Sequence, residues 1–405
     1  MRHKVLPAAV LCVCVSAPAV AQTVLTLETT IARAREQAGS VLVARARIAE
    51  AEAALVDASA RYRTNPVLEF NAGPRLTEPG TVLDLDLGMS QQLDSGARRD
   101  ARVAAARAGI ERERATADEA GRLATFEAVS AFLDAVAARE RLRVAEAVDG
   151  VARELVAATE RRYAVGDIAA LDLNHARIEA SRSAALLAGA RAAVVEADGL
   201  LRSLLRLPAA EPLEPRGTLE LPAPPPLTQA RVALEQRPDL TALLAESRAA
   251  GAETDLGRAL GRPELGVRLG YHREDSDTIV LGGLTVTLPA FQRGQGALAA
   301  GLARSSRAKI ELETARARAG AQLEAAYGSY QQHAALVTAF ASSALPSVED
   351  NELLARRSYE AGELGLLDYL TIRRDALQVR TAVIDRRLEA AHRRVTIDFI
   401  AGVLR

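Results

Sequence analysis

Arg356-Arg357-Ser358-Tyr359-Glu360-Ala361-Gly362-Glu363-Leu364-Gly365-Leu366-Leu367-Asp368-Tyr369-Leu370 is the stretch that decides how this 405-residue chain folds. A helical run ends at Ala361-Gly362, because glycine accepts the left-handed backbone that closes a helix. Gly365 keeps the turn loose, and Leu366 opens a new amphipathic run. The segment therefore predicts a sharp turn between two long helices. A related segment stands earlier, as Arg161-Arg162-Tyr163-Ala164-Val165-Gly166-Asp167-Ile168-Ala169-Ala170-Leu171-Asp172-Leu173. Tyr163 and Tyr359, Gly166 and Gly362, Leu171 and Leu367, and Asp172 and Asp368 pair at one constant offset. The chain is an internal duplication.

Working outward from each turn gives the same order of elements twice. Upstream of Tyr163, a run without proline reaches back to Asp94-Ser95-Gly96-Ala97-Arg98-Arg99. As a helix rising about 1.5 Å per residue it would be about 100 Å long. Before it the period changes to two. In Leu83-Asp84-Leu85-Asp86-Leu87-Gly88-Met89-Ser90, odd positions are apolar and even positions polar or glycine, which is strand alternation. Val67 to Ala72 forms a partner strand, with Pro74 to Gly80 as the loop between. Thr26 to Arg63 reads as helical, with a break near Gly39-Ser40 and an end at Asn65-Pro66.

The second copy repeats this programme. Leu227 to Leu260 matches the opening helices, and Arg262-Pro263 matches Asn65-Pro66. Leu265 to Tyr271 and Thr278 to Leu288 form a second hairpin around the loop from His272 to Asp277. Arg293-Gly294-Gln295-Gly296 starts another long helix, bent near Pro346. Leu370, Leu377, Ile384 and Ala391 then recur at heptad spacing, a coiled-coil seam. Residues 22–207 are thus the first repeat, with hairpin 66–91 and tip turn 164–169. Residues 208–227 are a linker holding seven of the 16 prolines, stiff at Pro224-Pro225-Pro226. Residues 228–405 are the second repeat, with hairpin 263–289 and tip turn 361–365.

Composition narrows the function classes. A net charge of −1 from mixed signs argues against nucleic-acid binding. Three per cent aromatics, no Trp and abundant Ala suit long, closely packed helices. Residues 1–21 read as a secretory signal peptide: Arg2, His3 and Lys4, an apolar run from Val5 to Val15, and Ala19-Val20-Ala21 as the cleavage site. Cys12 and Cys14 both lie inside it, so the mature chain has no thiol. Leu11 and Val13 are too large before a cysteine to suit lipidation. His175, His272, His333 and His392 are scattered, so no metal site is expected. No nucleophile elbow, phosphate loop or nucleotide fingerprint is present, so no catalytic residue and no cofactor are expected.

Four strands per chain cannot close a barrel, yet apolar-out, polar-in strands of this length suit an outer-membrane barrel wall. In lipid every backbone group must be paired, so closure would need several chains. Three would supply twelve strands. A secreted or periplasmic coiled-coil structural or adaptor protein is the alternative. It leaves the paired hairpins unexplained, and no lipoyl-like β-domain is found.

With the two tip motifs, the Asn65-Pro66 and Arg262-Pro263 hairpin entries, and the Gly96-Ala97-Arg98 and Arg293-Gly294-Gln295 exits, the mature chain resembles the TolC-type outer-membrane efflux proteins. Its compact length is closest to their heavy-metal efflux branch. The resemblance implies a mainly α protein with membrane β-strands. It implies a homotrimer whose twelve-stranded outer-membrane β-barrel continues as an α-helical coiled-coil barrel across the periplasm. It further implies a passive conduit that docks on a periplasmic adaptor (membrane fusion) protein and an inner-membrane pump, exporting metal cations or small toxic compounds. Val165, Gly166, Asp167, Ile168, Ala361, Gly362, Glu363 and Leu364 would form the adaptor-docking tip. Tyr359, Asp368, Asp172 and Tyr163 would guard the tunnel mouth, with the acids favouring cations. Asp84 and Asp86 would line the pore. Leu364 stands where the family latch carries arginine, and Thr371 where it carries a second aspartate, so the latch here is wired differently.

Overall fold

The computed structural model describes residues 23–78, 80–209, 212–274 and 277–404. The signal-peptide assignment, with Cys12 and Cys14, falls outside them. The first repeat runs β1 (Thr23–Leu25), α1 (Leu27–Gln37), α2 (Gly39–Ser59), β2 (Val67–Thr77), β3 (Gly80–Leu93), α3 (Gly96–Ala164) and α4 (Ala170–Leu205). A short strand β4 (Leu213–Pro215) follows. The second repeat runs α5 (Leu227–Leu234), α6 (Pro238–Leu260), β5 (Glu264–Glu274), β6 (Asp277–Thr287), α7 (Gln295–Ala339), α8 (Leu345–Glu360) and α9 (Leu366–Ala401).

Local chemistry sets the boundaries. Thr26 and Thr29 form a reciprocal capping box at the start of α1. The Ser95 hydroxyl accepts the Arg98 amide at 3.3 Å and starts α3. That helix runs 69 residues unbroken, about 100 Å at 1.5 Å per residue. Its counterpart in the second repeat is interrupted: a π-helical turn, Phe340–Ala344, separates α7 from α8, and Pro346 sits in the first turn of α8. Proline lacks the amide that would continue the ladder, so the regular hydrogen-bond pattern is interrupted where the bend was expected.

The hairpins are longer than the alternation alone suggested. β2 extends through Pro74 to Thr77, and β5 through His272 to Glu274, so the strands take up most of the stretches expected as loops over Pro74–Gly80 and His272–Asp277. Pro74 lies near the end of β2, which is an edge strand within the single chain. All four strands join one antiparallel sheet in the order β2-β3-β5-β6, and Gly88 pairs with both Glu69 and Gly270. The two hairpins therefore lie side by side, with β2 and β6 left as free edges. The opening helix stops at Ser59 rather than Arg63.

The linker is strapped down rather than free. β4 pairs in parallel with β1, and Leu213 and Leu219 are buried beside Phe132. Arg394 donates to the Pro222 carbonyl at 2.7 Å, and the Tyr327 hydroxyl donates to that of Pro225.

The core is duplicated like the sequence. In the first repeat Leu25 and Ala34 pack on Ala128, Val129 and Phe132 of α3 and on Leu201 and Leu205 of α4. In the second, Ala230 and Leu234 pack on Leu323, Ala326 and Tyr327 of α7 and on Ile397, Ile400 and Ala401 of α9. Leu370, Ile384 and Ala391 of the expected seam are buried, and Leu377 is half-buried.

Candidate functional site

The sheet register sorts the strand residues onto two faces. One carries Leu68 and Phe70, Leu83, Leu85, Leu87 and Met89, Leu265, Val267, Leu269 and Tyr271, and Val280, Leu284 and Val286. Most of these large apolar side chains are exposed in the single chain. The other face carries Glu69, Arg75, Asp84, Asp86, Arg268, His272 and Glu274. Asp84 and Asp86 thus share a polar face with Arg268 and His272, as the alternation predicts.

On that face the charges are cross-linked. Arg75 grips Asp84 with two hydrogen bonds, 2.7 and 2.8 Å, and reaches Glu274 at 3.2 Å. Arg268 lies 3.3 Å from Glu69, and His272 Nδ1 lies 3.3 Å from Asp86. The sequence reading had not singled out Arg75, Glu69 or Glu274. Glu69 and Arg75 follow the same two-residue alternation along β2, but their partners come from the sheet pairing.

At the far end, the two tips share one geometry. Gly166 and Gly362 both have φ +77°, and their amides donate to the Tyr163 and Tyr359 carbonyls at 3.0 and 3.1 Å. The next amides, of Asp167 and Glu363, reach back to Arg162 and Ser358 at 3.0 and 2.9 Å. A left-handed backbone disfavours any Cβ. Gly166→Ala and Gly362→Ala should therefore each cost about 1 kcal/mol, read as a lowered unfolding midpoint in urea. An unchanged midpoint would refute the requirement. Val165, Gly166, Asp167, Ala361, Gly362 and Glu363 are exposed, and Ile168 and Leu364 half-buried.

The tips differ in what they hold. Tyr359 stacks on Tyr369, ring centroids 4.9 Å apart and nearly parallel, over a cluster of Leu155, Ala355, Leu366 and Leu370. Burial pushes the Tyr359 phenol above its usual pKa, while the Arg162 guanidinium beside it pulls the other way. Asp172 lies close enough to add to the upward push. Arg162 is held by Asp167 at 2.6 Å. The structure thus joins Tyr359, Asp172 and Asp167 around an arginine that the sequence reading missed. Arg162 aligns with Ser358 in the duplication, one of several positions at which the two tips differ, so nothing in the repeat pattern marked it. Tyr163 and Asp368 stay exposed and outside this cluster.

Among the described residues no group of three or more His, Cys, Asp or Glu is placed to hold a metal ion. No helix among them is long and apolar enough to cross a membrane. The membrane-compatible surface is the sheet.

Residues 230–403 match the family described as outer membrane efflux protein. The cobalt-zinc-cadmium resistance protein CzcC of Cupriavidus metallidurans is 28% identical over 320 residues, 78% of this chain and 76% of its own. The CmeC outer membrane channel of Campylobacter jejuni has the same fold, with a TM-score of 0.76 at 16% identity over 93% of this chain and 85% of its own. CusC, known for conformational changes accompanying folding and transmembrane channel formation, superposes with a TM-score of 0.75 at 18% identity, over 94% and 93%.

Proposed function

We propose that this chain, whose residues 230–403 match the outer membrane efflux protein family, is a member of it with one working form: three copies closing a twelve-stranded barrel and continuing it as a helical tunnel. The chain is the outer-membrane component of an efflux system and extends into the periplasm. The observation that carries the trimer is the four-stranded sheet, with one large apolar face exposed and with β2 and β6 unpaired. An 11-residue strand at about 3.4 Å per residue is about 37 Å long, or about 26 Å tall when tilted 45°, close to the apolar band of a membrane barrel. Lipid removes both liabilities only if the edges pair. Edge β6 of one copy against β2 of the next closes the ring.

A periplasmic adaptor and an inner-membrane pump complete the proposed assembly, with the exposed Val165-Gly166-Asp167 and Ala361-Gly362-Glu363 turns as the docking tip. Metal cations are the proposed cargo. The likeness to CzcC supports it, as does the exposed carboxylate of Asp368, which three copies would bring around one mouth. No resident metal site is required, because transit needs weak binding. The coiled-coil structural alternative leaves the apolar sheet face exposed to water and unexplained.

Outer membranes isolated from cells expressing the full chain should yield a heat-sensitive trimer with small, cation-selective conductance in planar bilayers. A soluble monomer without conductance would overturn the proposal. Asp368→Ala should lower the cation preference. Tyr359→Phe removes the phenol that faces Arg162 and should raise resting conductance, while unaltered values would remove Tyr359 from the gate.

A further inference from the structure

Strand pairing sets three polar residues in one row across the polar face of the sheet. Asn71 of β2 stands opposite Asp86 of β3, and Asp86 stands opposite His272 of β5. Side chains directly opposite each other on one face have Cβ atoms about 5 Å apart, so neighbours in the row can share a small ligand. On either side of the row the acids are taken: Arg75 holds Asp84 and Glu274, and Arg268 holds Glu69. Asp86 meets no arginine among the described residues, and its ionic neighbour is His272.

The contact between these two is looser than an ordinary ion pair. His272 Nδ1 lies 3.3 Å from Asp86 Oδ2, beyond the about 2.7–2.9 Å of a charge-assisted hydrogen bond. His392 and Asp134, by contrast, meet at 2.9 Å. The other oxygen, Asp86 Oδ1, is buried and accepts no hydrogen bond among the described residues. A buried carboxylate oxygen without a donor marks a place for a water or a cation. Zinc binds imidazole nitrogen and carboxylate oxygen at about 2.1 Å, and two such bonds at a tetrahedral angle hold their donor atoms about 3.4 Å apart. The observed spacing is that of two neighbouring ligands on one ion. The ring sits over bare backbone, since a Cβ on Gly270 would lie 3.1 Å from His272 Nε2. The His272 and Asp86 side chains are 29% and 33% exposed, so the row is open to an ion from solution.

We propose that Asn71, Asp86 and His272 form a weak, transient site for a borderline divalent cation such as zinc or cobalt, on the inner wall of the barrel near its outer mouth. This rests on the reading of the chain as a channel for metal cations. The imidazole favours such ions over magnesium or calcium, which suit oxygen ligands. Asp86 supplies the charge, Asn71 its amide oxygen, and water the rest of the shell. One imidazole and one carboxylate fall short of the three protein ligands that even an open catalytic zinc site carries, so the ion is held loosely and let go. His272 stands two residues before Glu274, where β5 gives way to β6 at the end of the sheet away from the helices. Three copies would set three such rows around the last stretch of the path.

The test uses the full-length chain, purified in detergent without a histidine tag, with Zn2+ as the probe. Calorimetric titration should show weak binding of one ion per chain that excess Mg2+ does not displace. His272→Ala and Asp86→Asn should each weaken that binding by at least the about tenfold that loss of an outer-shell partner costs. Asn71→Ala should weaken it less, and His392→Ala should leave it unchanged. His272→Gln carries the test if the alanine variant fails to assemble. In planar bilayers, Zn2+ should reduce the potassium current through wild type and not through the His272 variant. Absence of Zn2+ binding by wild type, or undiminished binding by the His272 and Asp86 variants, would overturn the site. Block that persists in the His272 variant would overturn it as well. A wild-type chain that binds Zn2+ through His272 and does not conduct would instead overturn the channel reading, so the two failures are distinguishable.

Discussion

Arg98→Ala should lower stability by about 3–5 kcal/mol, the usual loss when one member of a buried, hydrogen-bonded charge cluster is removed. Arg98 is buried at the foot of α3. Its guanidinium donates to the Ala259 carbonyl at 3.1 Å and the Leu260 carbonyl at 2.9 Å, and also to the Arg262 carbonyl and the Glu264 carboxylate. Those acceptors are the last turn of α6 and the entry to β5. Alanine would remove the donor from the carbonyl of buried Ala259 and from the partly buried Leu260 and Glu264, at about 1–3 kcal/mol for a buried group left unsatisfied. Arg98→Lys keeps the charge but not the fork, and should recover only part of the loss. Urea unfolding followed by circular dichroism measures both. If Arg98→Ala unfolds with the wild type, Arg98 is not the clamp between helix and sheet.

The second large effect is expected at the crossing of α6 and α7. A Cβ on Gly257 would lie 2.6 Å from the Leu298 nitrogen and 2.9 Å from its Cα. One helical turn along, a Cβ on Gly301 would lie 2.9 Å from both the nitrogen and the Cα of Thr254. These obstacles are backbone, so no rotamer change relieves them and the helices must move apart. Gly257→Val should cost about 3 kcal/mol, at the upper end of overpacking. Gly301→Val should cost a similar amount. The double variant should lose less than the sum, because the first substitution already separates the helices. A fully additive double variant would show that the two glycines do not share one contact.

What the sequence made legible follows periodicity and glycine. Gly166 and Gly362 located both tips to within a residue or two, since the left-handed φ that each adopts is a local demand. The alternation from Leu83 to Ser90 correctly sorted Asp84 and Asp86 from the leucines. Strand length was less legible: Pro74, opposite Leu83 of β3, reads as a breaker, yet β2 continues through it to Thr77. How the linker packs was not legible for a similar reason. Its prolines announce extension, but the burial of Leu213 and Leu219 beside Phe132 comes from a partner some eighty residues away in sequence. Arg162 was missed because the Tyr359 phenol beside it comes from the other half of the duplication, which no single-repeat pattern encodes.

The strapped linker also bears on ancestry. Each repeat starts and finishes at one height: β1 lies beside β4, and the opening helix α5 lies against the end of α9. A half-length polypeptide with either repeat's layout would return to its own starting level after one hairpin and one coil. Six such polypeptides would build the same ring with true sixfold symmetry, needing no connector at all. The strap between residues 208 and 227 is then what fusion added.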